Sequence, residues 1–150
     1  MPKLNRPTEN IVMLANTNYV SNTTVVAATV AGFKDYNSIT FQFIFDVTGS
    51  ASNDLLQVFI QATVDGGTTW TDIAASTDLA ESVGDLTEYL TVTRNIDPGT
   101  SDDNFANEDA ALTAGTVRRM NWGNDLRVKV KQTEGTALDI SVAVNANASW

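Results

Sequence analysis

Residues 56–73, L-Q-V-F-I-Q-A-T-V-D-G-G-T-T-W-T-D-I, alternate into Asp65-Gly66-Gly67 and come back out through Trp70. Successive strand side chains point to opposite faces, and glycine accepts the backbone angles of a tight turn, so this run reads as a β-hairpin. Leu56, Val58, Ile60, Ala62 and Val64 are expected to face inward, with Gln57, Gln61 and Thr63 outward. Past the turn, Trp70 and Ile73 stand three apart. That breaks the period of two and predicts a β-bulge near Thr71-Asp72.

The same alternation recurs along the chain. Residues 23–30 (T-T-V-V-A-A-T-V) are rich in β-branched residues. Gly32 and Lys34-Asp35-Tyr36-Asn37 form a turn, and residues 39–47 then place Ile39, Phe41, Phe43, Phe45 and Val47 on one face, the pattern of a central core strand. Residues 87–93 and 116–122 read as further strands. Leu126, Val128 and Val130 alternate with Arg127, Lys129 and Lys131; Leu138, Ile140, Val142 and Val144 follow after Glu134-Gly135. These last two runs read as a hairpin with a three-residue glycine-bulge loop, in which the basic outer face meets Asp139 or Glu134. A short helical turn is expected near residues 107–112 and no long helix anywhere. The fold class is therefore all-β: a two-sheet antiparallel β-sandwich, jelly-roll-like in its expected variant.

At 150 residues the chain reads as one domain, long enough to bury about 70% of its unfolded surface without staples. Residues 1–10 form an extended N-terminal arm, with two prolines and the basic Lys3 and Arg6, and residues 11–150 a single sandwich domain. Residues 95–115 are a long acidic loop.

Composition narrows the chemistry. Cysteine is absent, which excludes disulfides and thiolate metal sites. Histidine is absent too, which removes the commonest general base and metal ligand and rules out Ser–His and Cys–His nucleophile systems. The formal net charge of −9 and pI near 4.2 repel phosphate backbones, so no nucleic-acid partner is expected. No apolar run approaches membrane length, and residues 1–7 lack the apolar core of a signal peptide. The chain is read as a non-enzyme that needs no metal or cofactor.

Thr63-Val64-Asp65-Gly66-Gly67-Thr68-Thr69-Trp70 matches the Asp-box pattern Ser/Thr-x-Asp-x-Gly-x-Thr-Trp. Asp65 can accept turn N–H groups, Gly66 and Gly67 tolerate positive φ, and Trp70 can pack beneath the turn. Propellers built from this pattern need several copies. One copy marks Asp65, Gly66, Gly67 and Trp70 as a turn-stabilising device. The acidic loop carries Asp97, Asp102, Asp103, Asn104, Glu108 and Asp109. Two readings stand: an acidic solvated loop, or a Ca²⁺ site within residues 96–113. Phe59, Tyr89 and Phe105 are the aromatics expected on outer faces, where a carbohydrate-binding sandwich would use them. Trp122 precedes a core strand and is expected buried. Trp150 either folds back on its own domain or sets into a neighbour, and with Lys3, Arg6 and Pro7 it makes up the candidate interface.

The hairpin V-F-I-Q-A-T-V-D-G-G-T-T-W-T-D-I-A, with N-W-G-N-D-L-R-V-K-V-K-Q-T-E-G-T-A-L-D-I-S-V-A-V far downstream, resembles small β-sandwich virion proteins of tailed bacteriophages. The likeness spans roughly residues 38–148, by pattern more than by identity; the acidic loop and the arm lie outside it. It implies a structural role, as a capsid decoration or cement protein or as a neck or tail component. It also implies major capsid protein or other virion subunits as partners, a homo-oligomer with a trimer favoured, and location in the virion after assembly in the host cytoplasm.

Overall fold

The computed structural model describes residues 8–19, 24–52, 55–94, 106–133 and 139–150. They build two antiparallel sheets face to face: an all-β sandwich, as the alternation implied. The strands are β1 (Thr8–Tyr19), β2 (Thr24–Ala31), β3 (Ser38–Val47), β4 (Leu55–Ala62), β5 (Thr71–Ala75), β6 (Leu79–Ala80), β7 (Leu86–Thr93), β8 (Thr116–Val117), β9 (Asp125–Thr133) and β10 (Ile140–Ser149).

One sheet runs β1-β10-β3-β7. The other runs β2-β9-β4-β5-β8, and β6 pairs with β4 beyond the end of β5. The order follows from nested pairing. β4 pairs with β5, β3 with β7, β2 with β9 and β1 with β10, so the front half of the chain is laddered against the back half in reverse. Rolling that long double ribbon brings β3 beside β10 and β4 beside β9. Consecutive pairs then fall alternately into the two sheets, which is the jelly roll.

The core lies between the sheets. Ile39, Phe41, Phe43 and Phe45 of β3 meet Leu56, Val58 and Ile60 of β4, Leu126, Val128 and Val130 of β9, and Ile140, Val142 and Val144 of β10. All of these are sealed from solvent. Trp122 is buried at one end, as expected, and donates its indole N–H to the Phe33 carbonyl at 2.9 Å. Arg94 closes that end. Its guanidinium lies 4.6 Å from the Trp122 ring centroid and donates to the carbonyls of Tyr36 (2.6 Å), Trp122 (3.0 Å) and Lys34. Burial lowers its pKa from the ordinary value. At the other end the buried Glu81 carboxylate accepts the Ala51 and Asp139 N–H groups at 2.9 and 2.5 Å. Gly49 makes room for it, because a Cβ there would collide with the carboxylate.

Several expectations are corrected. β9 and β10 are not a hairpin: they lie in opposite sheets, and the basic residues of β9 find partners elsewhere. Glu134, Gly135 and Leu138 fall outside the described residues. Residues 107–112 form no helix, and Ala110 takes a positive φ of 54°. The strand expected over 116–122 ends at Val117. Val64 is 72% exposed, whereas Gln57, Gln61 and Thr63, expected outside, are buried. Thr8–Asn10, expected in the arm, pair with Asn147–Ser149 as the start of β1. The bulge stands where the broken period placed it: Ile60 pairs with Ala74 and Gln61 with Asp72, which leaves Ile73 as the extra residue.

Phe43→Ala is expected to destabilise the domain by about 3–5 kcal/mol, whereas Thr91→Ala on the outer face of the same sheet shifts stability by about 0.5 kcal/mol or less. Urea unfolding of the two variants checks which faces are core.

Candidate functional site

Three side-chain constellations outside the core could carry a function. The first is the Asp-box turn over residues 63–70. Thr63 Oγ1 donates to Asp65 Oδ1 at 2.9 Å and accepts the Gly67 N–H at 2.9 Å. The same Asp65 oxygen accepts the N–H groups of Thr68 and Thr69 at 3.0 and 2.9 Å. Gly66 and Gly67 sit at φ 74° and 95°, the left-handed region that a side chain disfavours. The Trp70 indole donates to the Gly67 carbonyl at 3.0 Å, and the Arg127 guanidinium lies 4.5 Å from the Trp70 ring centroid. The four residues picked from the sequence thus meet in one turn. The hydrogen bonds, led by the Thr69 backbone N–H, lower the Asp65 pKa from 3.8 to about 2. All of these contacts close on one another within the turn and its neighbouring strand.

The second constellation was not legible in the sequence. Asp72 on β5 is completely buried. Its Oδ1 accepts the Gln61 amide at 2.7 Å and the Ala110 N–H at 3.1 Å; its Oδ2 accepts the Ala111 and Leu112 N–H groups at 2.9 and 3.1 Å. Asp109 accepts from Gln61 at 2.8 Å and from Lys129 at 2.5 Å, and these two contacts, Gln61 first, lower its pKa. Arg127 donates to Gln61 Oε1 at 2.7 Å. Leu112 and Ala110 pack on Phe59 and Ala75 as a second, small core.

The described part of the acidic loop is therefore no solvated tether. It is a strap across the outer face of the β2-β9-β4-β5-β8 sheet, which explains why Gln57, Phe59 and Gln61 are buried. Phe59 is no exposed platform. Asp97, Asp102, Asp103, Asn104 and Phe105 lie outside the described residues. Among the described residues no group of three or more His, Cys, Asp or Glu side chains could hold a metal ion.

The third is the outer face of the β1-β10-β3-β7 sheet, which no described segment covers. Two rungs cross all four strands in register: Asn10–Asn147–Thr40–Thr91 and Val12–Asn145–Gln42–Tyr89. Their side chains are laced together. Asn147 donates to Asn10 at 2.6 Å, Asn145 to Gln42 at 3.0 Å and Gln42 to the Tyr89 hydroxyl at 2.9 Å, while Thr40 and Thr91 share a bond of 2.8 Å. All of them but Thr91, with Ile11 and Ala146, line a groove of about 350 Å³ that contains no charged side chain.

Of the candidate interface residues, Lys3, Arg6 and Pro7 lie outside the described residues. Trp150 is half-buried against its own domain, with its ring centroid 4.5 Å from that of Tyr36. The Tyr36 hydroxyl donates to Glu9, a contact that raises its pKa to about 12.

No family model matches the chain, and no curated protein matches it. Solved structures do. The structure of the infectious bursal disease virus Gt strain superposes with a TM-score of 0.56 and 11% identity over 99% of this chain and 36% of that one. The crystal structure of the VP2 subviral particle of the same virus gives 0.54 and 11%, over 99% and 36%. The likeness is one of fold. The chain spans about a third of the length of those viral chains. The xylan-binding module CBM15 gives 0.49 and 14% identity, over 96% of this chain and 97% of that one.

Two outcomes test this geometry. Asp72→Ala strands three backbone N–H groups, each worth about 1–3 kcal/mol when buried unsatisfied. It is expected to release the strap, seen as fast hydrogen exchange at residues 110–112. Because the folded-state Asp65 pKa lies below its ordinary 3.8, the turn's stabilisation is complete above about pH 4 and fades as pH falls toward 2. An NMR titration should place the Asp65 carboxyl near 2, and Asp65→Asn should flatten the stability profile over that interval.

Proposed function

We propose that this chain is a structural protein of a tailed bacteriophage particle, a capsid decoration protein that bridges neighbouring major capsid subunits as a trimer and performs no chemistry. The observation that carries the reading is the two-sheet sandwich, β1-β10-β3-β7 over β2-β9-β4-β5-β8, which superposes on viral particle structures over 99% of this chain. The D-G-G-T-T-W turn and the R-V-K-V strand, shared by pattern with small phage virion sandwiches, direct it toward the decoration role.

The mechanism is stapling by a rigid block. The strap seals one sheet face, so the sheet edges are left for neighbours. Thr8, at the start of β1, pairs with Ser149, which precedes Trp150. Contacts made only in the assembled shell stabilise it by mass action. Assembly in the host cytoplasm belongs to the same proposal.

Purified protein mixed with undecorated capsids is expected to add saturably and to raise their resistance to heat. Quantitative mass spectrometry of particles should then count hundreds of copies, whereas a neck or tail component gives roughly a dozen. Absence of binding ends the decoration reading.

A further inference from the structure

We infer that the bare face of the β1-β10-β3-β7 sheet is a binding site for a neutral oligosaccharide, with Tyr89 as its stacking platform. The inference is independent of the decoration reading.

The charge pattern comes first. The chain carries 18 acidic and 9 basic residues, yet none of them lines this groove. A surface that selects nucleic acid, an anionic lipid or a charged peptide places ions in its site. Here the polar part of the lining is amide, hydroxyl and phenol, beside the exposed apolar side chain of Val12. Those groups recognise a ligand that is dense in hydroxyls and has no charge.

The second observation is Tyr89. It is 61% exposed, on an edge strand, at the end of its rung. The C–H face of a sugar ring stacks on an aromatic face while its hydroxyls reach polar neighbours, and tyrosine offers an apolar body with a polar tip. Its oxygen already accepts from Gln42, so the phenol keeps its own proton for a ligand oxygen.

The third is preorganisation. The chain of bonds from Asn145 to Gln42 to Tyr89 fixes three side chains in one direction across three strands, and Asn147 is fixed on Asn10. Rotamers locked before binding lose less entropy when the ligand arrives. The groove volume of about 350 Å³ sits at the lower end of the range for small-ligand sites, about 300–1,000 Å³.

The test uses the full chain, labelled with ¹⁵N, and a panel of neutral hexasaccharides of glucose, xylose, mannose and galactose, with oligogalacturonate as the anionic comparison. The expected result is saturable shifts of the Gln42, Asn145 and Asn147 side-chain amides with at least one neutral sugar. Tyr89→Ala should weaken binding about tenfold or more at unchanged Tm, and Tyr89→Phe should retain most of it. The inference is overturned if no neutral sugar moves those amides at millimolar concentration, if Tyr89→Ala binds like the parent chain, or if only the anionic sugar binds. Capsid addition by Tyr89→Ala is a separate readout, so failure of one reading does not decide the other.

Discussion

The ladder between β3 and β10 holds the molecule together. It runs without a bulge through ten residue pairs, from Ser38 against Ser149 to Val47 against Ile140. Because the strand period is two, one register decides both faces at once. It turns Phe41, Phe43 and Phe45 toward Val142, Val144 and Ala146 in the core. It also sets Gln42 opposite Asn145 and Thr40 opposite Asn147 on the outside. A slip by one residue would bury four polar side chains and expose three phenylalanines. The packing of the core and the order of the outer rungs are therefore two consequences of one alignment. That is why the outer rungs are as regular as the core beneath them.

The opposite sheet solves a different problem. Its outer face carries Phe59, Gln61 and Asp72 beside Arg127, Lys129 and Lys131, a mixture that would be unstable either bare or dry. The strap resolves it by bringing backbone N–H groups to Asp72 and a carboxylate to Lys129. A buried carboxylate is costly unless its lone pairs are filled. Asp72 receives four hydrogen bonds, and the orientation of residues 110–112 needed to supply them is incompatible with the helix that A-N-E-D-A-A-L suggests. The two faces of the sandwich thus differ in kind: one closed by its own chain, the other open.

Much of this was written in the sequence where a strand has one wet face. The alternation in residues 39–47 and 126–131, the turn at Asp65 and the burial of Trp122 all follow from local pattern. So does the architecture, since several short strands without helices leave few layer arrangements. What escaped has physical reasons. β1 carries bulges between Val12 and Leu14 and between Leu14 and Thr17, so its period is broken and no strand is visible in T-E-N-I-V-M-L-A-N-T-N-Y. β4 is wet on neither face, so its polar Gln57 and Gln61 mislead; only the distant strap explains them. β9 and β10 are consecutive and alike, and consecutive strands pair more often than not, but a rolled ribbon sends them to opposite sheets. Of the outer face, only Tyr89 was visible as an exposed aromatic. Its rungs draw on four strands as far apart in sequence as Asn10 and Asn147, and a contact between distant segments leaves no local trace.

The placement of the Asp-box turn completes the physical picture. In a nested ribbon every outer pair encloses the inner ones, and the entropy lost on closing a loop grows with the chain enclosed. β1 and β10 enclose most of the molecule, whereas β4 and β5 enclose only residues 63–70. The innermost pair is therefore the one place where local chemistry alone can hold two strands together. It is also where Thr63, Asp65, Gly66, Gly67 and Trp70 concentrate. Farther out, no short turn can do this, and long registered ladders such as β3 with β10 take over. Each outer ladder needs the inner ones to bring its strands near. Turn chemistry at the centre and uninterrupted register at the periphery are what this topology requires of its sequence.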